Sequence, residues 1–441
     1  MTTIYALSSG HGKAGVAVIR ISGPQSGSVL RRLTGVITRP RFVSLKAIRD
    51  PASGEIIDRS LIIWFPGPKS FTGEDMAELH IHGGRAVTEA VFTALAAFEG
   101  LRPAEPGEFA RRAFANGKLD LTEAEGLADL IDAETEAQRR QAMRQSAGAL
   151  RALYDGWRSR LIEALASIEA ELDFSDEGDV PDEVANASRS IVDGLRDEIT
   201  GHLADKRGGE ILRDGLRVVI AGPPNAGKSS LMNALAQRDV AIVSAEAGTT
   251  RDVIEVRLDL DGYPVVLMDT AGIHEATGEV EQEGIRRALE RAKEADLVLW
   301  LGDATDPESG PPASLAAAHG ARLLDAVNKI DLASDHVAAP NALPLSVKTG
   351  AGLDNLVARL SEEVRNAADI GESPAITRAR HRRELERCAA ALTRFLDGSF
   401  SELELRAEDL RGAATALGRL TGRVDVEDIL DKIFADFCIG K

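Results

Sequence analysis

Gly222-Pro-Pro-Asn-Ala-Gly-Lys-Ser229 is the stretch whose reading decides the fold. An apolar run at 216–221 precedes it and reads as a buried strand, and a helix-forming segment begins at Ser229. Strand, glycine-bounded loop and helix in that order make a phosphate-binding loop. Its glycines let backbone N–H groups close around a β-phosphate, Lys228 reaches the β- and γ-phosphates, and the Ser229 hydroxyl is placed to ligate Mg²⁺. A lone match of this pattern is weak, but further elements follow in the order a guanine-nucleotide domain requires.

In Gly248-Thr249-Thr250-Arg251-Asp252, Thr250 can offer its hydroxyl to Mg²⁺ and its backbone to the γ-phosphate, as a first switch does. A hairpin is expected over 253–260 and 263–268 around Asp261-Gly262. It runs into Asp269-Thr270-Ala271-Gly272, a second switch in which an Asp holds the metal's water shell and a Gly senses the γ-phosphate. Strands expected at 297–301 and 323–327 lead to Asn328-Lys329-Ile330-Asp331, whose carboxylate can accept from the N1–H and 2-amino group that guanine presents. A short strand at 343–345 leads to Ser346-Val347-Lys348, whose main chain can back the guanine O6. The expected fold class is α/β and α multidomain, with a mostly parallel, doubly wound sheet in this P-loop domain.

At 441 residues the chain is long enough for two or three domains with separate cores. Its 52 basic and 70 acidic residues give a net charge of −18, which opposes capture of nucleic acid by a broad basic surface. If RNA is involved, another protein is expected to supply much of the grip. Two cysteines, Cys388 and Cys438, make no disulfide framework. The N-terminus lacks a basic region followed by an apolar core, and no apolar run reaches membrane-spanning length, so a soluble, cytoplasmic protein is expected.

The N-terminal part reads as mixed α/β, with strands at 15–21, 61–65 and 77–82. Three polar features stand out there: Arg20 inside an apolar strand, Glu78 and His80 alternating with Leu79 and Ile81, and Lys118 in the turn Asn116-Gly117-Lys118. They can line a pocket for an anion or a polar ring, or alternation can simply place Glu78, His80 and His82 on a solvated face. No metal is expected at His80 and His82, since no third ligand stands nearby at a recognised spacing. Helix is expected from Asp120 onward, with Thr122-Glu-Ala-Glu125 as its capping box. A second helix carries Leu150, Leu153, Trp157, Leu161, Leu165, Ile168 and Leu172 at three- and four-residue steps. An acidic loop at 175–183 reads as solvated coil, a helix is expected near 191–206, and Gly208-Gly209 reads as a linker. Helical character returns at 376–395 and 403–417. One bundle interrupted by the nucleotide domain is the economical arrangement, with the ends of that insert close together. At the chain's end, Cys438 in Phe437-Cys-Ile-Gly-Lys441 is either a reactive, ligand-facing thiol or a packed one.

Along nearly its full length the sequence resembles the MnmE (TrmE) family of tRNA-modification GTPases. The resemblance rests on the phosphate loop through Ser230 and on Ala247-Gly-Thr-Thr-Arg-Asp252. It extends to Phe71-Thr-Gly-Glu-Asp75 with His82-Gly-Gly84, to Pro106-Gly-Glu-Phe109 with Asn116-Gly-Lys-Leu-Asp120, and to the terminal Phe437-Cys-Ile-Gly-Lys441. It implies a folate-binding and dimerising domain at 1–118, a helical domain at 119–210 and 371–441, and the GTP-binding domain at 211–370. With the flavoprotein MnmG (GidA), which brings FAD and NADH, the family installs an aminomethyl or carboxymethylaminomethyl group at C5 of the wobble uridine of certain tRNAs. A homodimer and a heterotetramer with the flavoprotein are implied.

By the family's pattern, Arg20, Glu78, Lys118 and the terminal Lys441 hold a tetrahydrofolate derivative, 5-formyl- or methylene-tetrahydrofolate, which supplies the one-carbon unit. The nucleotide is implied to touch Asn225, Ala226, Gly227, Lys228, Ser229 and Ser230, then the loop of Ser244, Ala245, Glu246, Ala247, Gly248, Thr249 and Thr250. Asp269, Thr270, Ala271 and Gly272 follow, and Asn328, Lys329, Asp331, Ser346, Val347 and Lys348 complete the set. Asn225, Ser244, Glu246 and Thr249 are the implied K⁺ ligands, and Glu281 the implied catalytic acid that positions water. Pro223 beside Pro224 and Val347 in place of a small residue are departures that remove no ligand. A ribosome-assembly switch of the Era or Der type is the rival reading; such proteins usually carry a basic RNA-binding appendage, whereas here the flanks read as helical and the whole chain is acidic. A free-standing folate-dependent transferase in the N-terminal domain is a third reading, without a complete catalytic constellation.

Overall fold

Strict alternation in Met76-Ala-Glu-Leu-His-Ile-His-Gly83 buries Ala77, Leu79 and Ile81 and turns Glu78, His80 and His82 to the other side. That strand sits inside the first of two six-stranded sheets. The structure, a computed structural model, describes residues 2–10, 12–173, 182–205, 207–238, 240–242, 255–269, 295–306, 309–312, 322–333, 342–369, 374–399, 402–424, 427–435 and 437–440. Residues 1–128 and 417–441 form one unit and residues 129–416 another.

In chain order the first unit holds β1 (Thr3–Leu7), β2 (Ala14–Ser22), α1 (Ser26–Thr34), β3 (Ser44–Arg49), β4 (Ile56–Phe65), β5 (Met76–Gly83), α2 (Arg85–Ala96), β6 (Leu101–Pro103), α3 (Glu108–Ala115) and the start of α4 (Leu121–Asp132). The sheet order is β3-β4-β5-β2-β1-β6. β1 and β6 pair in parallel, and the other neighbours are antiparallel. Val29, Leu30 and Leu33 of α1 and Val91 and Leu95 of α2 pack with Ile19, Ile21, Ile62, Leu79 and Ile81 of the sheet. Register on the opposite face aligns Ile63, Glu78, Arg20 and Ala6 in one row across four strands.

The capping box of α4 lies two residues before the expected one. Asp120 Oδ1 accepts from Glu123 N at 2.7 Å, and Glu123 Oε2 accepts from Asp120 N at 2.8 Å. Thr122 therefore sits inside the helix and donates back to Asp120 Oδ1 at 2.9 Å. A short carboxylate is as good an N-cap as a hydroxyl, and here it comes first in the chain.

The second unit opens with α5 (Glu136–Ser146), whose capping box of Thr135 and Gln138 was not expected from sequence. α6 (Ala149–Asp173) and α7 (Asp182–Leu203) follow, then α8 (Gly208–Asp214). α7 begins well before residue 191, so the end of the expected acidic coil is helical; residues 174–181 lie outside the described residues. Gly208-Gly209 is the buried start of α8 and not an open linker. Gly209 lies so close to the Ile376 backbone that a β-carbon would collide with it. On α6 the fully buried stripe is Leu150, Tyr154, Trp157, Leu161, Ala164 and Ile168, with Leu153 and Leu165 only half-buried.

The nucleotide sheet comprises β7 (Leu216–Ala221), β8 (Glu255–Leu260), β9 (Tyr263–Asp269), β10 (Leu297–Asp303), β11 (Arg322–Asn328) and β12 (Leu343–Pro344), with α9 (Lys228–Ala236) after β7 and α10 (Leu353–Ala367) after β12. Its order is β12-β11-β10-β7-β9-β8, parallel except for the β8–β9 hairpin. Asp261 at φ 54 and Gly262 at φ 87 close that hairpin, the left-handed pair a tight two-residue turn needs. Ile211 and Leu212 of α8 belong to the same core as Leu360, Val364 and Ala368. The chain continues in α11 (Ala379–Asp397), packed on α7, and α12 (Leu403–Thr421). It returns to the first unit in α13 (Glu427–Ala435), where Phe434 and Phe437 pack with Ala110, Leu121 and Ala124.

Candidate functional site

The phosphate loop takes its shape from where a side chain cannot fit. Gly222, at φ 152, faces the Leu301 carbonyl so closely that a β-carbon would overlap it, and one on Gly227, at φ 98, would overlap the Asn328 amide. Asn225 takes the left-handed region at φ 62 between them. Lys228 folds back over the loop, donating from Nζ to the carbonyls of Gly222 at 3.0 Å and Pro223 at 2.9 Å. Burial lowers the Lys228 pKa, and the Asp269 charge opposes that shift. A desolvated ammonium beside a glycine-bounded turn and a helix N-terminus suits a polyphosphate.

Ser229 donates from Oγ to Asp269 Oδ2 at 3.1 Å, which brings the end of β9 to the start of α9. The pair offers two hard oxygen donors at one point, the donor type Mg²⁺ takes. On the base side, Asn328 is buried and joins three segments. Its amide donates to Ala226 O at 2.7 Å, and its Oδ1 accepts from Val347 N at 3.0 Å. Ser346 donates from Oγ to Asp331 Oδ1 at 2.7 Å, and Lys329 Nζ pairs with Asp303 Oδ2 at 2.5 Å. The structure thus brings Asn225 to Ser230, Asp269, Asn328 to Asp331 and Ser346 to Lys348 around one end of the parallel strands, the usual place for a nucleotide in such a sheet. Ser244, Ala245, Glu246, Ala247, Gly248, Thr249, Thr250, Thr270, Ala271, Gly272 and Glu281 lie outside the described residues.

In the N-terminal unit a cavity of about 540 Å³ is lined by Arg20, Arg41, Phe65, Lys69, Phe71 and Glu78, among others. Arg20 donates from Nε and Nη2 to Glu78 Oε1 at 3.2 and 3.0 Å, and His80 Nε2 lies 3.2 Å from Glu78 Oε2. The guanidinium faces the rings of Phe71 at 5.4 Å and Phe109 at 5.7 Å, within cation–π range. His82 instead points to water and pairs with Asp58 at 2.8 Å. Lys118 is exposed and does not line the cavity; its stem lies against Gly73, two residues from Phe71. Lys441 lies outside the described residues, but Gly440 O accepts from Ser8 Oγ at 2.8 Å and lies 3.5 Å from Arg20 Nη1. Cys438 is exposed on this tail. Arg41 and Lys69 went unread in the sequence because neither sits in a periodic pattern; the motif beginning at Phe71 was the available signal.

A curated protein of Parvibaculum lavamentivorans, the tRNA modification GTPase MnmE, is 56% identical over 444 residues, covering 100% of both chains. The protein of that name from Paramagnetospirillum magneticum is 54% identical, covering 100% of this chain and 99% of its own. This chain belongs to the MnmE (TrmE) family. The model of the GTP-binding protein TrmE N-terminus matches residues 3–118, and that of the MnmE helical domain matches residues 121–438. Among solved structures, the G domain of the T. maritima FeoB iron transporter aligns with 35% of this chain and 99% of its own, at 25% identity and a TM-score of 0.26. No described helix is long and apolar enough to cross a membrane.

Proposed function

We propose that this chain hydrolyses GTP to GDP and, with the flavoprotein MnmG (GidA), adds an aminomethyl or carboxymethylaminomethyl group at C5 of the wobble uridine of certain tRNAs. The coarser statement, a GTP hydrolase of tRNA modification, follows from family membership. One observation carries the reading: relatives named tRNA modification GTPase match across 100% of this chain, so the shared part includes the N-terminal sheet and the C-terminal tail as well as the nucleotide sheet.

In the nucleotide unit, Lys228 and the α9 N-terminus hold the phosphates and Asp331 reads the guanine edge. Ser229 and Asp269, with Thr250, would hold Mg²⁺, which supplies charge neutralisation at the phosphate oxygens when bound. Asn225, Ser244, Glu246 and Thr249 would hold K⁺. In the N-terminal unit, Arg20 and Glu78 would orient a tetrahydrofolate derivative, the source of the one-carbon unit, with Lys118 and Lys441 at its edges. The cavity supports this: a paired guanidinium and carboxylate beneath two aromatic rings suit a flat, polar heterocycle with an anionic tail. The FAD and NADH belong to the flavoprotein.

The decisive measurement is the nucleoside content of wobble uridines in cells lacking the gene. Loss of the C5 substituent, restored by the wild-type chain, is expected. A normal nucleoside profile with defective ribosome assembly overturns the reading in favour of an Era-type switch.

A further inference from the structure

Parallel pairing sets Asp303, the last residue of β10, opposite Asn328, the last residue of β11. The next residue, Lys329, takes the left-handed region at φ 66, and its ammonium reaches back to the Asp303 carboxylate at 2.5 Å. The carboxylate is fixed from its other side. Its Oδ1 accepts from Thr305 N at 2.9 Å and from Thr305 Oγ1 at 2.7 Å. The turn that carries it is closed by Ala304 N donating to Asn328 O at 2.8 Å, and Asp303 N donates to Ser309 Oγ at 2.9 Å. Burial opposes ionisation of Asp303, yet Lys329 and the two Thr305 bonds outweigh it and hold the carboxyl below its usual range.

A freely exposed lysine–carboxylate pair contributes little, because two long side chains lose freedom to make it. Here the acid is 15% exposed and already immobile, so the lysine is the only partner that has to be ordered. We propose that Asp303 is a positioning residue for the guanine subsite, fixing the Lys329 side chain before nucleotide arrives so that its stem is preset as an apolar wall for the purine ring. Asp331, two residues on, then reads the edge of a ring already seated. The reason is entropic: a lysine ordered in the free protein does not have to be ordered on binding. This inference rests on the GTP-binding reading above and adds to it a residue outside the two base-recognition segments.

The test is equilibrium titration of the full chain with mant-GDP and mant-IDP. Asp303→Asn is expected to weaken both by about tenfold, equally, because the lysine stem does not touch the 2-amino group that separates them. Thr305→Val, which leaves the ion pair and the Thr305 N–H bond but removes the hydroxyl bond to the acid, is expected to weaken both by a smaller factor and guards against a misfolded first variant. Lys329→Met is expected to match Asp303→Asn, and the double variant to be no more than about twofold weaker than Lys329→Met alone. Unchanged affinity in Asp303→Asn, or losses that multiply in the double variant as a merely structural role would give, overturns the proposal. Asp331→Asn separates this from the parent reading: a switch of preference from guanine to xanthine diphosphate keeps guanine recognition in place whatever Asp303 does. Retained guanine preference in that variant removes the parent reading instead.

Discussion

Arg20 illustrates how one cation is kept inside an apolar strand. The ladder places it directly opposite Glu78, and the rings of Phe71 and Phe109 cover the guanidinium. Removing either Arg20 or Glu78 leaves the other half-buried without its principal partner, with His80 left beside Glu78 or Gly440 O beside Arg20, which costs more than the pair itself contributes. Titration with 5-formyl-tetrahydrofolate should therefore show at least tenfold weaker binding for Arg20→Ala and for Glu78→Ala, with mant-GDP affinity kept. Unchanged folate affinity in both variants would take these residues out of the site. The two cysteines make a second comparison at this scale. Cys388 is buried in α11, and that burial pushes its thiol up to about 12, whereas Cys438 stands exposed on the tail. A thiolate is the reactive form, so a disulfide reagent should label one thiol per native chain quickly and the second only on unfolding. Cys438→Ser should abolish the fast phase; a fast phase that survives this substitution would mean Cys388 is accessible.

At the scale of elements, the helical part of the second unit is held by aromatic packing around a half-buried imidazole. His202 of α7 lies edge-on to Trp157 at 5.4 Å and Tyr154 at 6.2 Å, and the charges of Asp205 and Arg382 act on it. Burial lowers the His202 pKa; Asp205 works against that shift and Arg382 with it. The sign follows directly: as pH falls through the unfolded value of about 6.5, the unfolded chain takes a proton that the folded chain refuses, so stability is lost on acidification. Above pH 7.5 the residue contributes no pH dependence. The urea midpoint should fall less between pH 8 and pH 6 in His202→Gln than in wild type, and identical falls would dismiss the histidine. This cluster was only half legible in the sequence. The three- and four-residue spacing marked Trp157, Leu161 and Ile168, but Tyr154, which meets both His202 of α7 and His381 of α11, lies where those helices converge, and no local pattern announces that. The strands and loops of the nucleotide sheet were legible because their signals are local, a glycine-bounded turn after an apolar run. Gly208-Gly209 misled for the complementary reason: glycine reads as a breaker locally, yet Gly209 is small because the Ile376 backbone crosses it. The C-terminal helix α13 is not marked by any local pattern, since its Phe434 and the Phe437 that follows it are explained only by α3 and α4, hundreds of residues earlier.

At the scale of the whole molecule, the net charge of −18 and the nucleotide insert pose one question, how an acidic chain stabilises the charge that builds up during phosphoryl transfer. Ras-like switches place a Gln after the second-switch Gly to orient water, but here Gly272 is followed by Ile273, which cannot do that work. A carboxylate downstream, Glu281, is the family-implied substitute. Placed near the γ-phosphate it would orient water and also meet repulsion, so a cation has to enter with it. The Lys228 ammonium is bonded to the loop carbonyls of Gly222 and Pro223, and no arginine of this unit is assigned as a finger. K⁺ held by Asn225 and the loop from Ser244 to Thr249 would answer that need under the function proposed above, as would the pairing of two nucleotide units. Turnover should then be at least tenfold faster in KCl than in NaCl at matched ionic strength, and light scattering with a transition-state mimic should show self-association only in K⁺. Glu281→Ala should bind mant-GDP as wild type does and lose about a hundredfold or more in turnover. Equal rates in the two salts would eliminate the cation, and wild-type turnover in Glu281→Ala would eliminate the acid.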